Sequence, residues 1–103
     1  MSAEQLWRDA VRLRSETEIR AWGRESGYGI PFKIYDTRPQ SITIYSQSIA
    51  KPRSISKKEF LRIAEHWPAY CAGETARGFL GELSQNTSYI FGLLKWIEDN
   101  RQN

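Results

Sequence analysis

Two short segments in the middle of the chain alternate apolar and polar residues, and this alternation constrains the fold more than any other feature. The segments are residues 32–35 and 42–45, and most of their side chains are β-branched or aromatic. Residues 36–40, which separate them, are rich in turn-forming side chains and include Pro39. Alternation on both sides of such a turn is typical of two antiparallel strands. The sequence therefore predicts a hairpin at this point.

The same alternation assigns the two faces of the predicted hairpin, because successive side chains of a strand point in opposite directions. The side chains expected to face the core are Phe32, Ile34, Ile42 and Ile44. The opposite face is expected to carry Lys33, Tyr35, Thr43 and Tyr45. Residues 53–55 predict a further short strand at the edge of this sheet.

Residues 17–25 leave two interpretations open. Residues 17–22 alternate like a strand, and the glycines and proline of residues 23–31 predict a loop that holds Tyr28. The second interpretation continues the first helix to about residue 25, because Ser15 and Glu18 have the spacing of a capping box.

Helical spacing of apolar residues marks the two ends of the chain. Residues 3–14 show this spacing after a potential capping box of Ser2 and Gln5. Near the other end, a seam with the same spacing predicts a long helix, and its members are Ile90, Leu93, Leu94 and Ile97. Phe91 and Trp96 lie off this seam.

Two more helices are predicted between the sheet and the long helix. Ser56 and Glu59 form a capping box in front of an amphipathic pattern. Pro68 is expected to kink or end that helix, because its ring clashes with the preceding turn and it lacks an amide hydrogen. Gly73 is the expected stop, and residues 75–83 predict a short further helix.

These elements together predict one α+β domain over residues 1–103. It has an N-terminal helix, a small antiparallel sheet of three to four strands, and two to three C-terminal helices packed on one sheet face. A length of 103 residues agrees with a single domain.

The residues that carry chemistry do not form a catalytic pattern. The chain has one His and one Cys, His66 and Cys71, which are too few ligands for a zinc site. No phosphate-binding glycine motif is present. The sequence therefore predicts a protein that is not an enzyme and needs no cofactor or metal. A lone cysteine and the absence of an apolar leader predict a cytoplasmic location without membrane attachment.

The charge distribution suggests nucleic acid as one class of partner. The chain carries 15 Lys and Arg against 12 Asp and Glu, and the excess of three falls entirely within residues 1–55. A basic sheet face beside exposed tyrosines suits phosphate contact and base stacking. The candidate residues for this alternative are Arg20, Lys33, Arg38, Lys51 and Arg53. The helix, turn and helix around residues 75–97 also have the order of a helix-turn-helix.

Several short motifs resemble small uncharacterised bacterial proteins, some of the kind carried on mobile gene cassettes or phage. The motifs are Ile42, residues 54–60 (SISKKEF), residues 67–70 (WPAY), Gly73, Arg77 and residues 84–90 (SQNTSYI). The resemblance covers residues 17–98. It implies a sheet followed by helices and brings no established activity.

The surplus of aromatic residues favours a different class of partner. Four Trp, five Tyr and four Phe exceed what one small core requires. Large rings outside the predicted core seams are typical of protein interfaces. The predicted partner-binding residues are Tyr28, Tyr35, Tyr45, Tyr89 and Trp96. We therefore expect a non-enzymatic binding or accessory domain that contacts a protein partner, most simply a second copy in a homodimer. Nucleic-acid binding is the alternative.

Overall fold

A computed structural model describes residues 2–101 of the chain. In chain order, the elements are α1 (Ala3–Ala10), β1 (Glu18–Gly23), β2 (Gly27–Arg38), β3 (Ser41–Tyr45), β4 (Arg53–Ser56), α2 (Lys57–Glu65), α3 (Trp67–Cys71), α4 (Arg77–Leu83) and α5 (Thr87–Asn100). The four strands form one antiparallel sheet in the order β1-β2-β3-β4. The predicted α+β architecture is confirmed.

The sheet is built from consecutive hairpins, and its inner face is fully apolar in the middle. Ile34 lies opposite Ile44, and Ile42 lies opposite Ile55. These four side chains have no exposed surface, and Phe32 is 1 % exposed. The predicted inward positions are therefore confirmed, and the register is fixed because a one-residue slip would expose all of them.

Residues 17–25 form a strand and a turn, so the helical interpretation of this segment is wrong. β1 pairs with β2 from Glu18 opposite Lys33 to Gly23 opposite Gly27. The predicted loop is also too long, because residues 27–31 belong to β2. A register shift between Arg20 and Trp22 turns the Trp22 side chain to the helical side, where its ring lies 5.4 Å from that of Trp67.

The first helix ends earlier than its apolar spacing predicts. α1 begins at Ser2, whose hydroxyl accepts a hydrogen bond from the Gln5 amide, and it ends at Ala10. After Ala10 the amides of Arg12 and Leu13 bond three residues back, which tightens the turn and ends the helix. The Trp7 indole donates a hydrogen bond of 3.0 Å to the carbonyl of Pro39, and this bond links α1 to the turn between β2 and β3.

The helices after the sheet follow the sequence signals closely. Ser56 and Glu59 form a complete capping box at the start of α2. The chain breaks at His66, two residues before Pro68, and resumes as α3. Gly73 adopts a left-handed φ of 80°, as the predicted stop requires.

Helix α5 completes the core by crossing β1. Its apolar seam is buried as predicted, and Phe91 is buried as well because α5 is covered on more than one side. Gly92 lies directly on β1, where a Cβ atom would overlap the carbonyl oxygen of Arg20. The end of α5 is tied to α1 by an ion pair of 2.8 Å between Arg101 and Asp9. In the described part of the chain, no helix is both long and apolar enough to cross a membrane.

Candidate functional site

The outer face of the sheet carries two of the predicted partner-binding tyrosines. Tyr35 and Tyr45 are in edge contact, with ring centroids 5.9 Å apart and planes at 88°. Tyr35 is 57 % exposed, and Tyr45 is half-buried. We name the surface formed by Glu16, Lys33, Tyr35 and Tyr45 the tyrosine face.

Glu16 connects the other residues of the tyrosine face, because it contacts both Tyr45 and Lys33. The sequence did not indicate this role. The Glu16 carboxylate accepts a hydrogen bond of 2.6 Å from the Tyr45 hydroxyl and lies 3.7 Å from Lys33 Nζ. The hydrogen bond to Glu16, together with desolvation, raises the pKa of Tyr45. Glu16 also has a φ of 70°, which is uncommon for a residue with a side chain. Nothing in the local sequence signals this conformation.

A shallow pocket of about 240 Å³ adjoins the two tyrosines. Ile49 and Pro52 give it an apolar wall, and Lys51 gives it a cation. The pocket therefore brings together residues with different predicted partners. Tyr35 and Tyr45 are predicted to bind a protein, and Lys51 is predicted to bind nucleic acid. This arrangement suits contact with a side chain that has both an apolar part and a negative charge.

Charges of both signs surround the tyrosine face on the outer side of the sheet. The strand register places Glu18 opposite Lys33, and Arg20 is the next outward residue of β1. Asp36 and Arg38 pair with each other at 3.0 Å. Counting Glu16, three carboxylates therefore accompany the three strand cations Arg20, Lys33 and Arg38, and Lys51 at the adjoining pocket is a fourth cation. The predicted basic sheet face is in fact close to neutral.

Arg53 does not lie on that outer face, which corrects the prediction. It pairs with Ile44 and shares the inner side of β4 with Ile55. Its guanidinium lies 5.8 Å from the Tyr89 ring and donates to Asn86 Oδ1 at 3.3 Å. Arg53 therefore links β4 to the start of α5. It lies on the opposite side of the sheet from Lys33, so the two residues cannot bind the same phosphate backbone.

The five predicted partner-binding residues do not form one surface. Tyr28 is 58 % exposed but lies on the helical side of β2, where its hydroxyl donates to Asp99. Tyr89 is partly buried, with its ring in edge contact with Phe32 at 5.2 Å. Trp96 is partly buried against the core. The prediction that Tyr89 and Trp96 lie off the core is wrong. Side chains on more than one side of α5 pack against the core, and these two are among them.

The predicted helix-turn-helix is also corrected by the burial of its second helix. Asn86 and Thr87, which would begin a reading helix, are 8 % and 0 % exposed. The Thr87 hydroxyl donates to the carbonyl of Ser84, and Asn86 donates to the carboxylate of Glu59. A helix whose first turn is engaged inside the protein cannot present that turn to a DNA groove.

His66 and Cys71 do not form a catalytic pair. The His66 ring is in edge contact with Phe79, and Cys71 is exposed. Desolvation by the neighbouring protein atoms raises the pKa of the Cys71 thiol, and the nearby carboxylate of Glu98 adds to this effect. A raised pKa lowers the thiolate fraction at neutral pH, which disfavours a role for Cys71 as a catalytic nucleophile. No group of three potential metal ligands occurs among residues 2–101.

A larger cleft lies on the helical side of the molecule, between the β1–β2 turn and the segment that joins α3 to α4. It has a volume of about 940 Å³. Its lining includes Trp22, Arg24, Tyr70, Arg77 and Tyr89. The sequence does not predict this cleft, because its residues come from five elements and their glycines indicate only loops.

Two arginines that line this cleft each lie over an aromatic ring. Arg24 lies 5.7 Å from the Tyr70 ring, and Arg77 lies 5.8 Å from the Phe91 ring. The Tyr70 and Phe91 rings are themselves stacked, with centroids 4.3 Å apart. The two guanidinium groups are therefore each held against one member of a stacked aromatic pair.

Comparison with protein-family models, curated proteins and solved structures found no match for this chain. The resemblance to proteins of mobile gene cassettes or phage therefore stays a prediction.

Proposed function

We propose that this protein is a non-enzymatic binding domain that contacts a second copy of itself through the tyrosine face. The observation that carries the proposal is the exposed Tyr35–Tyr45 pair on a sheet face whose acidic and basic side chains nearly balance. The helices and the core lie on the other side of the sheet, so this face is available to a partner.

Balanced charge favours a second copy over other partners. In a symmetric dimer the same patch meets itself, so each cation must find a carboxylate on an identical surface. Lys33 beside Glu16 and Arg38 beside Asp36 provide such pairs. In the dimer that we propose, cations of one copy pair with carboxylates of the other across a twofold axis near the tyrosines.

Tyrosine is well suited to the centre of such an interface. Its ring buries a large area with few rotatable bonds, and its hydroxyl can form a hydrogen bond at the solvated rim of the interface. The hydroxyl of Tyr45 already has its acceptor in Glu16. The ring of Tyr45 is thus fixed before binding, which lowers the entropy cost of association.

Nucleic-acid binding is the alternative, and the outer face supports it less well. Arg53 is on the other side of the sheet, and Lys33 and Arg38 each lie beside a carboxylate. Three carboxylates on the same face would repel phosphate groups. Affinity for nucleic acid comes largely from uncompensated cations.

Sedimentation over a concentration series tests the proposal. We expect the wild-type protein to pass from monomer to dimer as its concentration rises. The double variant Tyr35→Ala with Tyr45→Ala is expected to remain monomeric. Tyr28→Ala is the matched control, because Tyr28 lies in the same strand with similar exposure but on the other side of the sheet. A wild-type monomer at every concentration would overturn the proposal.

Titration with a labelled oligonucleotide separates the two candidate functions. Dimer formation is expected to weaken less than about tenfold between low and moderate salt, because exposed ion pairs contribute little and the tyrosine rings supply most of the contact. Phosphate binding through the four remaining candidate cations is expected to fall by about two powers of ten when the salt concentration rises fourfold. Salt-sensitive oligonucleotide binding that is lost in Arg20→Ala with Lys33→Ala would favour the alternative.

We also propose that the protein works in a reducing compartment such as the cytoplasm. Cys71 is exposed, so an oxidising compartment would join two chains by a disulfide. Alkylation in intact cells is expected to find Cys71 as a free thiol. A Cys71-linked dimer on a non-reducing gel of rapidly quenched cells would contradict this proposal.

A further inference from the structure

The cleft between the β1–β2 turn and the α3–α4 segment has features that neither the tyrosine face nor the fold accounts for. Its volume of about 940 Å³ lies at the upper end of the range for small-molecule sites, about 300–1,000 Å³. We infer that this cleft binds an organic anion, meaning a compound with an apolar body and a carboxylate or phosphate group. The inference does not depend on self-association.

Arg77 supplies the positive charge that needs a partner. Among residues 2–101, no carboxylate lies within ion-pair distance of its guanidinium. Its only hydrogen bond to another described side chain is to Ser88 Oγ, at 3.1 Å. The guanidinium is planar and carries five donors, so most of them remain available to an oxyanion.

Tyr70 supplies a neutral donor at the same cleft. The residue is 3 % exposed, and its hydroxyl oxygen accepts a hydrogen bond of 2.8 Å from the Arg24 amide. Within the described chain, the Tyr70 O–H itself has no protein acceptor. A buried hydroxyl normally donates as well as accepts. An oxygen atom of a ligand would complete its hydrogen bonding.

Arg24 lies at the same cleft, but the carboxylate of Glu25 competes with a ligand for its guanidinium. Its guanidinium is 3.5 Å from Glu25, and Glu74 also lines the cleft. The Glu25 side chain is 87 % exposed, whereas that of Arg24 is 36 % exposed. The carboxylate is therefore more strongly screened by water than the guanidinium. Arg24 can turn from Glu25 to a ligand at little cost.

The remaining walls select a ligand with an apolar body. Trp22, Ile30 and Tyr89 line the cleft, and the Ile30 side chain is 53 % exposed. An isolated inorganic anion would leave these surfaces in contact with water. An aromatic or branched body attached to the anion would cover them, and this contact adds to the affinity.

Chemical-shift titration of the ¹⁵N-labelled protein tests the inference. The probes are benzoate and phenyl phosphate, with benzyl alcohol as the neutral analogue and inorganic phosphate as the bare anion. We expect benzoate or phenyl phosphate to produce saturable shifts at the Trp22 indole and at the amides of Gly23 and Ser88. Benzyl alcohol and inorganic phosphate are expected to bind at least about tenfold more weakly. Benzoate and phenyl phosphate together show which oxyanion is preferred.

Two substitutions localise the binding. Arg77→Gln is expected to weaken the preferred probe at least about tenfold, because a charge-assisted contact is lost. Arg62→Gln is the matched control, since Arg62 is exposed on α2 and does not line the cleft. It is expected to change the affinity less than about twofold. The spectrum shows whether each variant is folded. If Arg77→Gln does not fold, Arg24→Gln provides the same comparison.

Three results would overturn the inference. The first is the absence of saturation below about 10 mM for both benzoate and phenyl phosphate. The second is equal binding of benzyl alcohol, which would make the cleft a site for apolar groups only. The third is an equal loss of affinity in Arg62→Gln and Arg77→Gln, which would show a general effect of charge.

Discussion

The two faces of the β-sheet come from the same strands, yet they differ in composition and in proposed role. The middle of the inner face consists of isoleucine and phenylalanine side chains that meet the helices and have almost no exposed surface. The outer face consists of tyrosines and charged side chains whose contacts are with each other. Stability depends on the first face, and we propose that recognition depends on the second. Substitutions on the two faces are therefore expected to change different measurable quantities.

The largest expected effect is on the inner side, at the closest approach of α5 to β1. Gly92→Ala is expected to lower the free energy of unfolding by about 3 kcal/mol, because the added methyl group overlaps backbone that cannot move aside. Urea denaturation measures this loss.

Gly78→Ala is the matched control for that substitution. Gly78 is also helical, and no atom outside its own helical turns and chain neighbours lies within 4 Å of the added carbon. Alanine favours the helix, so this variant is expected to gain about 0.5–1 kcal/mol. Equal effects at the two glycines would show that α5 is not held tightly against the sheet.

A smaller effect is expected at Glu59, which joins the sheet to the helices. Its carboxylate accepts hydrogen bonds from Ser56, Ser84 and Asn86. Partial burial raises the pKa of Glu59, but these hydrogen bonds outweigh it and hold the pKa below the ordinary value. Glu59→Gln is expected to cost about 1–2 kcal/mol at pH 7.

The effect of Glu59 depends on pH in a definite direction. Because the folded state has the lower pKa, the ionised carboxylate stabilises the fold above the unfolded pKa of 4.5. This contribution is lost as the pH falls through the folded value. The difference in stability between the wild type and Glu59→Gln is expected to shrink in urea denaturation as the pH falls below 4.5. A constant difference between pH 7 and pH 3 would contradict this role of the charge.

The smallest effect on stability is expected on the outer face. Tyr35→Ala removes one cross-strand ring contact, which is worth about 0.2–1 kcal/mol in an exposed sheet. The unfolding free energy of the monomer is the quantity to measure, at a concentration below that of association. A loss as large as that in Gly92→Ala would mean that Tyr35 belongs to the structural part of the sheet.

The middle of the inner face could be predicted from the sequence, because residues 32–34 and 42–44 alternate without interruption. The same rule would have placed Arg53 correctly. Ile55 is two residues away on β4, so an inward Ile55 requires an inward Arg53. The prediction of Arg53 on the outer face considered its charge without its position in the strand.

The remaining features depend on contacts between distant segments. The register shift between Arg20 and Trp22 arises where α5 presses on β1, and it turns Trp22 inward. Glu16 takes its left-handed conformation as the chain enters β1, and its carboxylate meets Tyr45 from another strand. Neither result follows from local propensities. The cleft could not be predicted for the same reason, since α5 and the β1–β2 turn are far apart in sequence.

The crossing of α5 over β1 has a consequence for synthesis on the ribosome. All four strands are complete at Ser56, but the buried residues of α5 extend to Ile97. Translation at about 5–20 residues per second leaves an interval of roughly 2–8 seconds between these points. During that interval the apolar side of β1 lacks its cover, so the nascent chain is most prone to aggregation just before it is able to fold.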